Sequence, residues 1–175
     1  MDLGCTCTVV HVWKENEKQF VQSGNVGDST CFVKKFNVNN TNGNEKEYQI
    51  ITLSQDHKVS SEVEQERLAS TLPNFVKGQQ RINGISISRC LGNHFVKSEQ
   101  TGMIATPYIS EIVEVSSGDE IIVCSDGIWD VITPEHAFTI MESVDIEKVP
   151  NELMSLAMKD VNCKDNVTVI VIRIK

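Results

Sequence analysis

Asp119-Glu120-Ile121-Ile122-Val123-Cys124-Ser125-Asp126-Gly127-Ile128-Trp129-Asp130 is the stretch whose reading decides the fold. The apolar run 121–124 is too short for a free-standing helix, and its β-branched content predicts a strand buried on both faces. Ser125-Asp126-Gly127 ends that strand, because glycine permits a turn that most residues resist. Asp126 is left at the tip of a rigid element, where a carboxylate either closes a turn or serves as a ligand. Turn chemistry alone accounts for one such residue. A second one shifts the balance: Asp165-Asn166 stands just before another apolar run, 167–174. Oxygen donors at the edges of two strands suit a hard divalent cation such as magnesium or manganese.

Working outward, 175 residues make one domain of ordinary size with room for a real core. A net charge of −8, with no basic run longer than Lys34-Lys35, argues against a nucleic-acid surface. The six cysteines, at 5, 7, 31, 90, 124 and 163, lack zinc-knuckle spacing and a partnering histidine. They read as reduced thiols, Cys5 and Cys7 among them as small core residues on one strand face. Reduced thiols, and the absence of a leader or membrane-length apolar segment from the sequence, lead us to expect a soluble cytoplasmic or nuclear protein with no membrane partner.

Before the central strand, residues 5–13 and 20–26 read as a hairpin and 30–36 as a third strand, with Asp28 in the turn between the last two. Residues 37–47 read as an exposed polar loop and 48–53 as a short strand. Ser61 opens a helix, with Glu64 completing a capping box, and Pro73 ends it. Its apolar stripe, Val63, Leu68 and Leu72, is narrow, which predicts a surface position. Residues 81–93 and 106–115 alternate as strands do. After the central strand, Thr133 and Pro134 start one helix, with Ala137, Phe138 and Met141 inward. A second helix over 150–160 turns Leu153, Leu156, Ala157 and Met158 inward. Seven or eight mostly antiparallel strands and three helices result, an α+β fold.

The order of motifs resembles the metal-dependent protein phosphatases of type 2C, which act on phosphoserine and phosphothreonine. The matching pieces are Gly4-Cys5-Thr6-Cys7, Asn25-Val26-Gly27-Asp28-Ser29, Leu53-Ser54-Gln55-Asp56-His57-Lys58, Glu66-Arg67-Leu68, Arg81-Ile82-Asn83-Gly84 through Ser88-Arg89-Cys90-Leu91-Gly92, Cys124-Ser125-Asp126-Gly127-Ile128-Trp129-Asp130-Val131 and Asp165-Asn166-Val167-Thr168-Val169. Each is weak alone, but together, in the family's order, they cover nearly the whole chain. The resemblance implies a four-layer α-β-β-α sandwich of two antiparallel sheets flanked by helices. It also implies a two-metal magnesium or manganese centre and a phosphoprotein substrate. By motif, Asp126 and Asp165 match ligands of the first metal, and Asp28 and Asp130 match carboxylates of an additional, weaker one. Residues 56–80 match the flap beside the site.

The departures are as informative. The family's phosphate-gripping arginine and its Asp-Gly-His-Gly turn, whose aspartate bridges both metals, are absent from this sequence, and Asn93 stands where an aspartate is usual. Two divalent cations a few ångströms apart repel strongly without an anion between them. The sequence therefore raises two expectations: a phosphatase seen as the carboxy-terminal two-thirds of its domain, lacking the N-terminal strands, or a catalytically incomplete relative that binds partners. An uncovered first strand would also recruit a second copy through its edge, giving a homodimer. His57 and His94 suggest general acids, but His57 reads more simply as a surface or hydrogen-bonded residue. Arg81 and Arg89 read as salt-bridged rather than catalytic.

Overall fold

The computed structural model describes residues 3–36 and 47–175. The polar loop expected over 37–47 lies, except for Glu47, outside the described residues. In chain order the elements are β1 (Gly4–Cys5), β2 (Cys7–Glu15), β3 (Lys18–Val26), β4 (Thr30–Phe36), β5 (Tyr48–Thr52), α1 (Glu62–Thr71), β6 (Leu91–Gly92), α2 (His94–Ser98), β7 (Tyr108–Ile109), β8 (Val113–Val115), β9 (Glu120–Cys124), α3 (Asp126–Trp129), α4 (Pro134–Ser143), α5 (Val149–Lys159) and β10 (Val169–Arg173).

The central strand is β9, and all five of its residues are buried. It pairs antiparallel with β10 on one side and β4 on the other, and β5 completes a four-stranded sheet in the order β10-β9-β4-β5. Because β9 is covered on both faces, its alternate side chains enter two different cores. Ile122 and Cys124 pack beneath α4 and α5 with Phe138, Met141, Leu153 and Ala157. Ile121 and Val123 face a second sheet and meet Val21 of β3 and Val115 of β8. That second sheet runs β2-β3-β7, with β8 also on β3. All strand pairs are antiparallel. Helices, sheet and sheet thus stack as layers of the expected α+β sandwich. The outer face of the second sheet carries Val9, His11, Trp13, Phe20 and Ile109, with Val9 and Ile109 more than half exposed.

Several local expectations change. Residues 81–93 do not form a continuous strand: only the Ile82–Ile85 turn bridge, single bridges at Ile87 and Arg89, and β6 are formed. Their alternation arises from a chain that lies across other segments rather than along a sheet. Residues 106–115 split into β7 and β8, both paired to β3. Ser61 precedes α1 in extended conformation but makes no side-chain capping bond, because its hydroxyl donates to the Lys58 carbonyl at 2.9 Å, and Glu64 turns inward. The buried side of α1 is accordingly Glu64, Gln65 and Leu68, while Val63 faces solvent. In α5, Leu153 and Ala157 are buried but Leu156 and Met158 are exposed, with Val149 taking the inward position at the start. Cys5 is exposed and Cys7 half-buried, on the outer face rather than in a core. Thr133 caps α4 as its sequence suggests, its hydroxyl accepting from the backbone N–H of His136 at 3.3 Å.

Candidate functional site

Three chain segments that are far apart in sequence converge at one edge of the β10-β9-β4-β5 sheet. The first is the exit from β9. Asp126 is the first residue of the single-turn helix α3, and the backbone N–H of Asp130 donates to the Asp126 carbonyl at 2.8 Å. The second is the approach to β10. Ser125 Oγ donates to Asn166 O at 3.1 Å and accepts from Thr168 N at 3.0 Å, which staples the 125–127 turn to the 165–168 segment. Gly127 is required by the closeness of this join: a Cβ there would stand 2.5 Å from the Asn166 carbonyl oxygen. Asp165 is thereby set close enough to Asp126 for their charges to interact.

The third segment is the β3–β4 turn. Trp129 Nε1 donates to Thr30 O at 3.2 Å and lies near Cys124 O at 3.1 Å, and its ring meets Phe32 edge-on at 5.0 Å. These contacts bring the start of β4, and so Asp28, against α3. Gly27 adopts φ +109°, and a Cβ on it would run into the Thr6 side chain at 2.3 Å. Asp28 follows a turn that only glycine fits.

The electrostatics follow from the crowding. Burial, and then the nearby Asp126 charge, push the Asp28 carboxyl up to about 6. Burial, and then the charges of Asp165 and Asp130, push the Asp126 carboxyl above the usual carboxylate range. Like charges gathered this way disfavour ionisation unless a cation joins them. The donors are all hard carboxylate oxygens, the set that magnesium or manganese prefers. In charge and donor type the four residues Asp28, Asp126, Asp130 and Asp165 fit a divalent ion. Among the described residues, however, no group of three or more His, Cys, Asp or Glu side chains already converges as a ready-made ligand set.

The flap-like segment supplies Lys58, which sequence reading assigned no role, and gives His57 and Glu64 places that it did not foresee. Lys58 extends its ammonium to 3.6 Å from Asp130 Oδ1. Burial opposes its charge, but Asp130, Asp56, Asp28 and Asp126 together outweigh burial and hold its pKa above the ordinary lysine value. His57 is fully buried rather than at the surface, and its Nδ1 accepts from Gly27 N–H at 3.1 Å. Burial, then the Arg89 charge, lowers its pKa to about 4, so it stays neutral at physiological pH. Glu64, also fully buried, takes Arg89 Nη2 and Arg67 Nη2 at 2.6 Å each and Ser88 Oγ at 2.6 Å. Burial would raise its pKa, but these hydrogen bonds win and bring it to about 2. Arg89 is thus salt-bridged as expected, and exposed Arg81 donates to Gly84 O at 2.8 Å. His94 lies exposed at the start of α2. The signal for Lys58 was its place two residues after Asp56 in a family-like motif, yet a lysine in a polar run reads equally well as solvated.

With this geometry in place, comparison with known proteins is informative. The family model for Protein phosphatase 2C matches residues 1–167. A probable protein phosphatase of Dictyostelium discoideum is 37% identical over 174 residues, 98% of this chain but 16% of the relative. Protein phosphatase 2C 70 of Arabidopsis thaliana is 32% identical over 180 residues, 95% of this chain and 29% of the relative. The chain therefore spans less than a third of the length of these relatives. Among solved structures, a serine-threonine phosphatase 2C from Toxoplasma gondii superposes with TM-score 0.65 at 21% identity, over 90% of this chain and 57% of that one. The catalytic domain of the serine threonine protein phosphatase PstP in complex with two manganese ions gives TM-score 0.55 at 18% identity, over 96% of this chain and 57% of that one. The two structural matches speak to the fold, whereas the family model and the sequence relatives speak to descent: the chain belongs to the protein phosphatase 2C family.

Proposed function

We propose that this chain forms part of a magnesium- or manganese-dependent phosphatase that hydrolyses phosphoserine and phosphothreonine in protein substrates. The observation that carries the reading is that Ser125 on Asn166 and Trp129 on Thr30 bring the turns bearing Asp126, Asp165 and Asp28 from three separate segments to one sheet edge. There Asp126 feels the Asp165 charge and Asp28 feels that of Asp126. Folding does not gather carboxylates that a single lysine balances only in part at a strand edge without some cost, and a bound cation lowers it. Asp126 and Asp165 would hold one ion, with Asp28 and Asp130 toward a second, weaker one. When bound, such ions lower the pKa of a coordinated water and neutralise charge on phosphoryl oxygens.

The chain's own residues supply the frame. Ser125 ties the two ligand-bearing turns together, Trp129 fixes α3 to β4, and His57 holds the Asp28 turn against the flap. The manganese named with the PstP catalytic domain supports a metal of this class. The test is hydrolysis of a phosphothreonine peptide by the chain with manganese, with EDTA and Asp126→Ala as controls. Activity that both controls abolish supports the reading.

A second reading has its own observation. This sequence contains no Asp-Gly-His-Gly turn to set an anion between two ions, which supports a catalytically incomplete domain that binds one metal weakly, or a partner protein. No turnover, together with weak manganese binding that Asp126→Ala removes, favours that alternative.

A further inference from the structure

The acidic cluster already contains a cation, and it comes from the flap. Lys58 is held at both ends of its backbone. Its N–H donates to Asp56 Oδ1 at 3.0 Å, and its carbonyl accepts from Ser61 N at 3.0 Å and Ser61 Oγ at 2.9 Å. A bridge to Ile87 fixes it sideways. The side chain, about one-third exposed, then leaves this fixed backbone and brings its ammonium to 3.6 Å from Asp130. It lies within electrostatic reach of Asp28, Asp56 and Asp126 as well.

One positive charge cannot balance four carboxylates, so the cluster still attracts a hard dication. Yet a dication that took Asp130 as a ligand would compete with the ammonium 3.6 Å from that carboxylate, and like charges drawn to one carboxylate repel. The four-carbon lysine stem is flexible and its route to solvent is open.

We propose that Lys58 is a built-in counter-cation of the acidic cluster, one that an incoming divalent ion must displace and that therefore sets the metal affinity of the site. The inference rests on the metal-site reading above and adds to it a residue that tunes occupancy.

The experiment measures binding rather than turnover. Manganese is titrated into the wild-type chain, Lys58→Met, Lys58→Gln, Lys58→Arg and Asp126→Asn, with free Mn²⁺ followed by electron paramagnetic resonance. The neutral variants should bind manganese about tenfold more tightly than wild type, and Lys58→Arg should stay within about threefold of it. The two neutral variants differ in shape and polarity, so a folding defect in one leaves the other to decide. Neutral variants that bind manganese no more tightly than wild type, while Asp126→Asn still abolishes binding, overturn the role of Lys58 and leave the site intact. Binding that Asp126→Asn does not weaken overturns the site and the proposal together. Unchanged manganese affinity with weakened inorganic phosphate binding in Lys58→Met would assign the lysine to substrate instead, and also overturns the proposal.

Discussion

The backbone N–H of Gly27 donates to Nδ1 of His57 at 3.1 Å, and the backbone N–H of His57 returns a bond to the Gly27 carbonyl at 3.2 Å. A flap residue thus clamps the turn that presents Asp28. Nδ1 can accept only while the ring is neutral. The folded pKa, about 4, lies below the ordinary histidine value, so the unfolded chain binds the extra proton between about pH 4 and 6.5. In that window His57 makes stability rise with pH, and its contribution is lost as the solution is acidified. Asp28 acts in the opposite sense: its carboxyl at about 6 means that the folded, metal-free chain keeps a proton that the unfolded chain has lost. The two trends oppose one another between about pH 4 and 6. Asp126 and Asp56, whose carboxyls burial also raises, act with Asp28. With chelator present, Asp28→Asn should therefore make the stability read by urea unfolding fall more steeply on acidification than in the wild type, and an unchanged slope would refute the assignment.

Carboxylates gathered for a cation lower the stability of the metal-free protein. Asp126 is pushed up first by burial and then by Asp165 and Asp130. Asp126→Asn should raise the melting temperature in EDTA by a few degrees, corresponding to roughly 1 kcal/mol after allowance for solvent screening. The same change should abolish the stabilisation that manganese gives the wild type. Calorimetry with and without manganese reads both effects. An Asn variant less stable than wild type in EDTA would mean that Asp126 is a structural turn residue.

Glu64 is the anchor of the flap. Its carboxylate is fully buried between Arg67 and Arg89, which are themselves largely covered. Replacing it by Gln leaves two guanidinium groups facing a neutral amide. Removing one partner of a buried ionic group costs about 3 kcal/mol or more. In a chain of this length, that corresponds to roughly 6–12 °C in melting temperature. Hydrogen exchange should localise the loss to α1 and the segment around Ser88. A Glu64→Gln protein melting within about 2 °C of wild type would show that the network carries little.

The comparison of sequence with structure follows the same division between local and non-local forces. The strands β2 to β5, β9 and β10 and the helices α4 and α5 were legible because apolar periodicity and caps are local signals. Asp126 and Asp165 stood out because each stands at the edge of a readable strand, whereas Asp28 and Asp130 entered only through the family resemblance, since a carboxylate in a turn reads equally well as turn chemistry. Residues 81–93 were misread because alternating Ile and Ser at 85–88 imitates a strand, whereas the segment is fixed instead by Ser88 on His57 O and by Arg89 on Glu64. Glu64 was assigned to a cap for the same reason. A Ser-x-x-Glu spacing looks the same whether the carboxylate turns back to the helix start or inward to an arginine 25 residues later. Lys58 illustrates the limit most directly, since its meaning depends on three carboxylates, Asp28, Asp126 and Asp130, brought to it by tertiary structure.

The open edge of β2 carries the remaining prediction. Among the described residues β2 pairs only with β3, in an unbroken register from Cys7 opposite Val26 to Glu15 opposite Lys18. Its other side offers unpaired backbone donors and acceptors, a template for another strand. The outer face adds exposed Val9 and Ile109, beside Leu91 and Pro107, around an apolar cleft of about 450 Å³. His11, Trp13 and Phe20 stack in sequence along the same face, with ring centroids 4.9 and 5.6 Å apart. A second copy of the chain can add its own β2 there, making a self-complementary pair. The isolated chain should therefore sediment as a concentration-dependent dimer. Val9→Lys, which places a charge on the exposed face without touching the core, should shift it to monomer with little change in melting temperature. A wild-type chain that remains monomeric across the whole concentration series would show that the edge is protected without a partner, and the homodimer would have to be abandoned.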